Sequence, residues 1–552
     1  MRGGDVLKAD QGDHDCPAGH VARPFPVTAM RLALIIFLLT AFTAAFSHAR
    51  PLTPQEKRGK HIYVKGTSPA GRPITSYFGK DLIEMPGERA TCTSCHGYDG
   101  LGRPESGVIP TNVTWDYMMK SYGHIHPTGV EHAAFTEESL KSYMRDGIYP
   151  GGVRGDPSMP VYVMADEDLD DLIAYLKIIG AVPDPGISDD AVRVWTVVPS
   201  GGPPADTGEA MRKTIDAYFS SLNEKGGIFG RKLELQALKI DGSASSVRRM
   251  GDTFREGDVF ALLSPFSAGL DTEIAALAET EEMPVVGPFT LYPIDSTSLN
   301  RFVFYLFSGI REQSAALIDF AVKNSGLADP RAVVLAPSGK DLSDIASFLT
   351  EHGAAKGWEK TGRVEYLPDK FDAPELIRKL KGDGVEVVLF LGAEAEAKAL
   401  FVALRQSEWT PYLLLPGVIA GRGVAEMPVR FRDRLFLSYP SVPDDRKDWA
   451  IAELLGVLQK GSVANTHPAA QLSAYTAARV FVEGLRRAGK NLSRERFVVS
   501  LEGVFEFQTG LTPPITYNRN RRIGALGAHI FTINPDKAGT REFLVSKGWM
   551  AE

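Results

Sequence analysis

Cys92-Thr93-Ser94-Cys95-His96 sets two thiols three positions apart, directly before an imidazole. In the order C-x-x-C-H these groups perform one kind of chemistry, the attachment of a c-type haem. The thiols close thioether bonds onto the two vinyl groups of a porphyrin, and His96 is held under the iron as an axial nitrogen. With three cysteines and eleven histidines in 552 residues, chance is a poor source of this pattern. A redox-active C-x-x-C belongs in a thioredoxin-like βαβ setting, whereas loops bearing glycine and proline flank this one. A zinc site needs further Cys or His ligands at suitable spacing, and there is no second C-x-x-C.

Helices must position this motif. Pro54 to Tyr63 reads as the first, followed by a loop with Pro69, Gly71 and Pro73. Glu137 to Arg145 is a second helical stretch. Asp166 to Ile179 is an amphipathic helix, with Leu169, Leu172, Ile173, Leu176 and Ile179 at helical spacing and acids in its first turn. Gly180 and Pro183 end it.

Between the last two helices lies Gly155-Asp156-Pro157-Ser158-Met159-Pro160-Val161-Tyr162. With Ala174-Tyr175-Leu176 in the final helix, this order resembles the class I cytochromes c over roughly 120 residues. The resemblance implies an all-α domain at 51–180 with one covalently attached haem c. In it Cys92 and Cys95 form the thioethers, His96 is the proximal ligand and Met159 the distal one. A Met/His pair raises the iron potential and closes the sixth position, which suits electron transfer. Met159 also reads as a gap-filling side chain. Met118, Met119, Met144 and Met164 compete as ligands, as do His124, His126 and His132. The loop from Trp115 to Phe135 is longer than a minimal domain of this kind needs, and the sequence gives it no role.

Residues 181–190 (AVPDPGISDD) read as a linker, and after them the texture changes. Strands are expected at Val192–Val198, Lys232–Ile240, Val259–Ser264 and Pro284–Gly287, then at Ala332–Ala336 and Val385–Gly392. Helices are expected at Gly208–Lys225, Ser245–Glu256 and Thr272–Glu281. This βαβα order predicts a parallel, doubly wound sheet.

Asn223-Glu224-Lys225-Gly226-Gly227-Ile228-Phe229-Gly230-Arg231 is similar to the N-x-x-G-G-I-x-G-R element of type 1 periplasmic substrate-binding proteins, those that bind branched-chain amino acids and amides. Asp241, Val259–Pro265, Met283–Pro288, Ala474–Leu485 and Gly503–Pro514 follow in that family's order, the last two as its final helix and closing strand region. The resemblance implies an α/β domain at 191–552 with two discontinuous lobes and a ligand between them. Carried over, the first-lobe ligand loops are Ser267-Ala268-Gly269 and Phe289-Thr290-Leu291, and Glu394 stands at a strand end of the second lobe. Ser267 and Thr290 also read as helix caps, and Glu394 as an acid serving a helix dipole. The chain departs from the family at Pro337 to Leu342, where a Tyr-Gly step with a covering aromatic is usual, and at Phe289, which is bulkier than usual. An unmodified amino acid is therefore a poor candidate ligand.

Met30 to Ala49 reads as a secretory signal peptide with Arg31 before the apolar run Leu32 to Phe46. An uncleaved anchor is the alternative. Met30 is the expected start, residues 1–29 being an artefactual or disordered extension that carries Cys16. Signal and haem motif agree on the periplasm. A net charge of −7 argues against nucleic acid as a partner. No catalytic constellation emerges, and His467 and His529 are isolated. The reading is a periplasmic electron carrier, not an enzyme, fused to a small-molecule-binding domain. Its partners would be a redox protein, by analogy a periplasmic dehydrogenase, and an ABC permease. The alternatives are a transporter binding protein with an accessory cytochrome, and a ligand-gated redox sensor.

Overall fold

The computed structural model describes residues 52–102, 108–126, 129–267, 269–294 and 300–551. The signal peptide, the N-terminal extension, Cys16 and Ala268 lie outside the described residues. Among the described residues no helix is long and apolar enough to cross a membrane.

The first region is built on two crossing helices, Pro54–Lys65 and Asp166–Leu176. Thr53 caps the first in a capping box with Glu56, and Gly66 ends it in the left-handed conformation. The helices cross at Gly59, where a Cβ would land 1.9 Å from the Asp171 carbonyl oxygen. Nothing larger than glycine admits this approach. Beside the crossing Tyr63 meets Tyr175, from the predicted Ala-Tyr-Leu step, with ring centroids 5.4 Å apart. Arg58 grips the buried Asp171 through two bonds of 2.6 and 2.8 Å, and Arg72 and Ser68 grip the buried Asp168. The helical reading holds with an addition. Thr75–Phe78 pairs antiparallel with Ile83–Pro86 and with Val161–Val163, and the loop 115–135 folds a short hairpin of His124–Ile125 against Glu131–His132.

The second region has two lobes. In the first, parallel strands lie in the order Ile523–Ala525, Val303–Phe307, Val285–Val286, Ala261–Leu263, Ala191–Pro199, Lys232–Ile240. The second lobe has Gly362–Tyr366, Ala332–Pro337, Val387–Phe390, Tyr412–Pro416 and Leu435–Tyr439 in parallel, then Ala528–Ile533 and Leu544–Met550 antiparallel. The central strands are apolar on both faces, as sheets covered by helices on each side require. The chain passes between lobes beside Ser308 and Gly527, where the Gly527 N–H donates to Ser308 Oγ at 2.9 Å. Gly503–Pro514 is a loop rather than a closing strand. Its bridge, Phe507 to Ile515, is isolated, and the next strand is Ile523–Ala525.

Residues 181–190 do not hang free. Ile187 is buried, the Gly186 N–H donates to Asp258, and Asp184 accepts from the Arg494 N–H at 2.6 Å. The Arg494 guanidinium donates to the carbonyls of Phe260, Glu281 and Val259. The loop after His96 is fixed on the same surface. Asp99 pairs with Arg496 at 2.7 Å, Tyr98 lies under the Arg301 guanidinium at 4.4 Å, and Lys60 pairs with Glu282. Phe260, Glu282 and Arg301 each precede a strand, so these contacts fall on the N-terminal edge of the first-lobe sheet.

Candidate functional site

Two sites follow from the sequence, and the structure treats them differently. Cys92–His96 forms one short helical turn that carries both cysteines as thiols. Desolvation pushes the Cys92 thiol up to about 12, the reverse of the lowered value that a redox-active thiol pair needs. His96 is buried, and its Nδ1 lies 2.8 Å from the Thr111 carbonyl oxygen. A carbonyl only accepts, so Nδ1 carries the proton and Nε2 is left as a lone-pair donor. Burial lowers the proton affinity of this ring, which favours the neutral form that a metal ligand needs.

Cys92, Cys95, His96 and Met159 all line one cavity of about 500 Å³. That size falls in the range of cofactor pockets, roughly 300–1,000 Å³. Leu140, Met144, Leu176 and Phe135 supply apolar wall. Met159 is placed by a turn in which Asp156 accepts from the N–H groups of Ser158 and Met159. Met118 and Met144 also line the cavity, both from within the core. Met164 lines only a smaller side cavity behind Cys92. His124, His126 and His132 line the main cavity as well. The sequence singled them out as competing ligands and gave no hint that they gather on one wall.

The second site is the first-lobe edge facing the other lobe. Ser267 is fully buried, and its N–H reaches the Phe289 carbonyl at 3.3 Å, which joins the two predicted ligand loops. Phe266 and Phe289 pack with ring centroids 5.6 Å apart. Thr290 Oγ1 accepts from the Tyr292 N–H, and Leu291 is exposed. Neither Ser267 nor Thr290 caps a helix, since Asp271–Thr280 begins after Leu270 without a side-chain cap and Ile310–Asn324 begins after Gly309. Glu394 stands exposed in the first turn of Glu394–Gln406 and packs on Gly421 of its own lobe.

One residue of this edge was not foreseen. Burial raises the Asp271 carboxyl to about 6, against the opposing pull of the Thr290 and Ser267 hydroxyls and the Gly269 N–H. The Tyr292 hydroxyl is held above its ordinary range by burial and by the carboxylates of Asp341, on the second lobe, and Asp271. An acid in the first turn of a helix reads in sequence as a dipole partner, and only the fold buries it beside the ligand loops.

The model of the periplasmic binding protein family matches residues 191–539, more than half of the chain. The chain belongs to the periplasmic binding protein family. The cytochrome c model matches residues 79–179, so this periplasmic binding protein carries a cytochrome c domain. Such a domain implies haem c. Neither matched family is one of enzymes. A curated relative, Leu/Ile/Val-binding protein homolog 3 of Brucella melitensis biotype 1, is 21% identical over 304 residues, 54% of this chain and 79% of the relative. A fatty acid ABC transporter substrate-binding protein from Thermomonospora curvata superposes with a TM-score of 0.51 at 15% identity, over 67% of this chain and 94% of its own. A possible leucine/isoleucine/valine-binding protein from Rhodopirellula baltica gives 0.50 at 17%, over 65% and 97%. At these identities the structural likenesses establish the two-lobed α/β fold.

Proposed function

We propose that this periplasmic binding protein is a single-electron carrier. In this reading Cys92 and Cys95 would attach one haem c covalently, and His96 and Met159 would hold its iron. The observation that carries it is the convergence of these four side chains, from two distant loops, on one largely apolar cavity of about 500 Å³. The residues present fit the group. Two thiols line it, a buried imidazole presents its second nitrogen, and a thioether lines the same space. Bound there, haem c supplies a one-electron Fe(III)/Fe(II) couple. The chain's own part is to fix the His96 tautomer through Thr111, to hold Met159 on its turn, and to exclude water with the apolar wall. The working compartment is the periplasm, and a redox protein is the exchange partner.

The binding-protein domain takes a small ligand and docks a partner such as an ABC permease. Its ligand is not an α-amino acid held by its carboxylate. Asp271 sets a second carboxyl beside Ser267 and Thr290, where a ligand carboxylate would meet like charge. A neutral or cationic hydrogen-bond donor suits that edge. A ligand in the cleft also stays away from the haem. The cytochrome sits on the N-terminal edge of the first-lobe sheet and the ligand loops on its C-terminal edge. Arg301 and Ser308 bracket one strand, roughly 20 Å at about 3.3 Å per residue. This separation favours an electron carrier with a docked binding domain over a sensor whose closing lobe shields the haem.

Absorption spectra of the mature protein, made with haem-attachment machinery, test the electron-carrier reading. A c-type reduced spectrum with a weak near-infrared Met-to-iron band, lost in Met159→Ala, is expected. A haem-free protein refutes the reading.

A further inference from the structure

The loop 115–135, which the sequence left without a role, gathers three imidazoles on one wall of the cavity. His124 and His132 are registered partners across the short hairpin, with ring centroids 5.1 Å apart. His132 Nδ1 lies 2.6 Å from the Ala133 carbonyl oxygen and so carries the proton. Its Nε2 is therefore an acceptor, and the His126 Nε2–H donates to it at 3.0 Å. His124 Nε2 donates to the Met118 carbonyl at 3.0 Å. Backbone carbonyls set the tautomers of His124 and His132, and His132 in turn sets that of His126, which can accept a second proton at Nδ1 without losing this bond. Tyr149 stacks on His132 at 4.2 Å and 6°, and its hydroxyl meets that of Tyr143 at 3.2 Å.

What such a wall serves follows from charge. Haem carries two propionates on the edge opposite its vinyl groups. Thioethers to Cys92 and Cys95 would turn that edge away from the cysteines. The side cavity behind Cys92 is lined by apolar side chains such as Ile62, Ile74, Met144 and Leu172, and by none of the three histidines. Among the described residues lining the main cavity there is no lysine or arginine. With His96 committed to iron, His124, His126 and His132 are, among the described lining residues, the groups able to become cations. Asp156 is the lining carboxylate.

Resting on the haem reading above, we propose that His124, His126 and His132 receive the haem propionates and couple reduction of the iron to uptake of a proton. When a one-electron donor reduces Fe(III) to Fe(II), the haem loses one positive charge. A proton from water then binds Nδ1 of His126, and reoxidation releases it. The groups facing the cluster are Tyr117, with Lys120 over its ring, then Phe135, Tyr143, Tyr149, the neighbouring Glu131 and the lining Asp156. In the protein without haem, burial lowers the proton affinity of His126 and His132, and the neighbouring histidines lower it further. A propionate opposes both effects and draws the coupling back toward the ordinary histidine range. An imidazolium favours the less positive, reduced haem, so the midpoint potential falls as pH rises through this window.

The test is a spectroelectrochemical titration of the full holoprotein between pH 4.5 and 8, with dithionite and soluble mediators. The slope of potential against pH is expected to drop by half or more in His126→Gln and His132→Gln, with the Met-to-iron band retained. Redox difference infrared spectra of the unaltered protein, which need no variant, should show propionate bands whose change follows the same pH window. A loaded haem with a pH-independent potential overturns the inference and leaves the electron-carrier reading standing. A slope unchanged in both variants also overturns it. A protein without haem overturns both.

Discussion

The two sites of this chain differ in how they are prepared. The cytochrome cavity is an apolar chamber with a few polar groups, each held in one state by a named bond, such as Thr111 on His96 or Ala133 on His132. The interlobe edge keeps the family's loops, joined from Ser267 to Phe289, and places a buried carboxyl among them. The first is the arrangement of a resident cofactor, for which every ligand is pre-set. In the second, one carboxyl, Asp271, stands beside the loops that the resemblance assigns to a ligand. Between them lies one sheet, and its opposite edges keep their chemistries apart.

The widest break in this comparison comes from the thiols. The double substitution Cys92→Ala, Cys95→Ala should abolish covalent haem. Haem should then leave the protein on acid–acetone extraction, while the binding domain still folds by circular dichroism. Haem that stays bound covalently would show that the attachment site is elsewhere.

A smaller effect tests the docking of the two regions. Arg494 satisfies three carbonyls of the first lobe beneath the segment that leads from the cytochrome. Leaving buried groups of this kind unpaired costs about 3 kcal/mol or more. Arg494→Leu should therefore lower the denaturation midpoint and increase proteolysis within 181–190. An unchanged midpoint would mean that the segment is a free tether.

The cleft gives the smallest expected change, and its sign is fixed. The Asp271 carboxyl is raised from 3.8 to about 6 by burial, so the folded protein binds its proton more tightly than the unfolded chain. Its contribution is fully present below the unfolded value and is lost as pH rises from about 4 through about 6. At pH 7.5 the ionised group costs about 3 kcal/mol. Asp271→Asn should thus raise the melting temperature at pH 7.5 and have little effect at pH 4. The same variant should sharpen the contrast in binding, since leucine, tested by calorimetry, should bind more tightly to it than to the unaltered protein. Equal melting curves at pH 7.5 would mean that Asp271 is not held away from water.

Much of the haem site was legible because its chemistry is local. Five consecutive residues propose the attachment, Met159 stands out by its proline and its distance from the last helix, and the structure lines one cavity with Cys92, Cys95, His96 and Met159. The lobes were legible through the alternation of β-branched and helical runs. What was not legible depends on distant partners. Asp184 meets Arg494 more than 300 positions away, and nothing in AVPDPGISDD foretells that it is pinned. The histidine wall rests on strands of two residues, too short for any periodicity to register. Gly503–Pro514 carries the composition of a closing strand, yet its bridge is isolated, and the strand forms later. Asp271 looks like an ordinary helix-start acid until the fold buries it.

The most direct measurement is the absorption spectrum of the mature protein, oxidised and then reduced, beside that of Met159→Ala. The account predicts a c-type reduced spectrum, and a near-infrared Met-to-iron band in the oxidised protein that disappears in the variant. A haem spectrum without that band, or with a band that survives in Met159→Ala, would contradict the assignment of the sixth ligand, and a protein without haem would contradict the account as a whole.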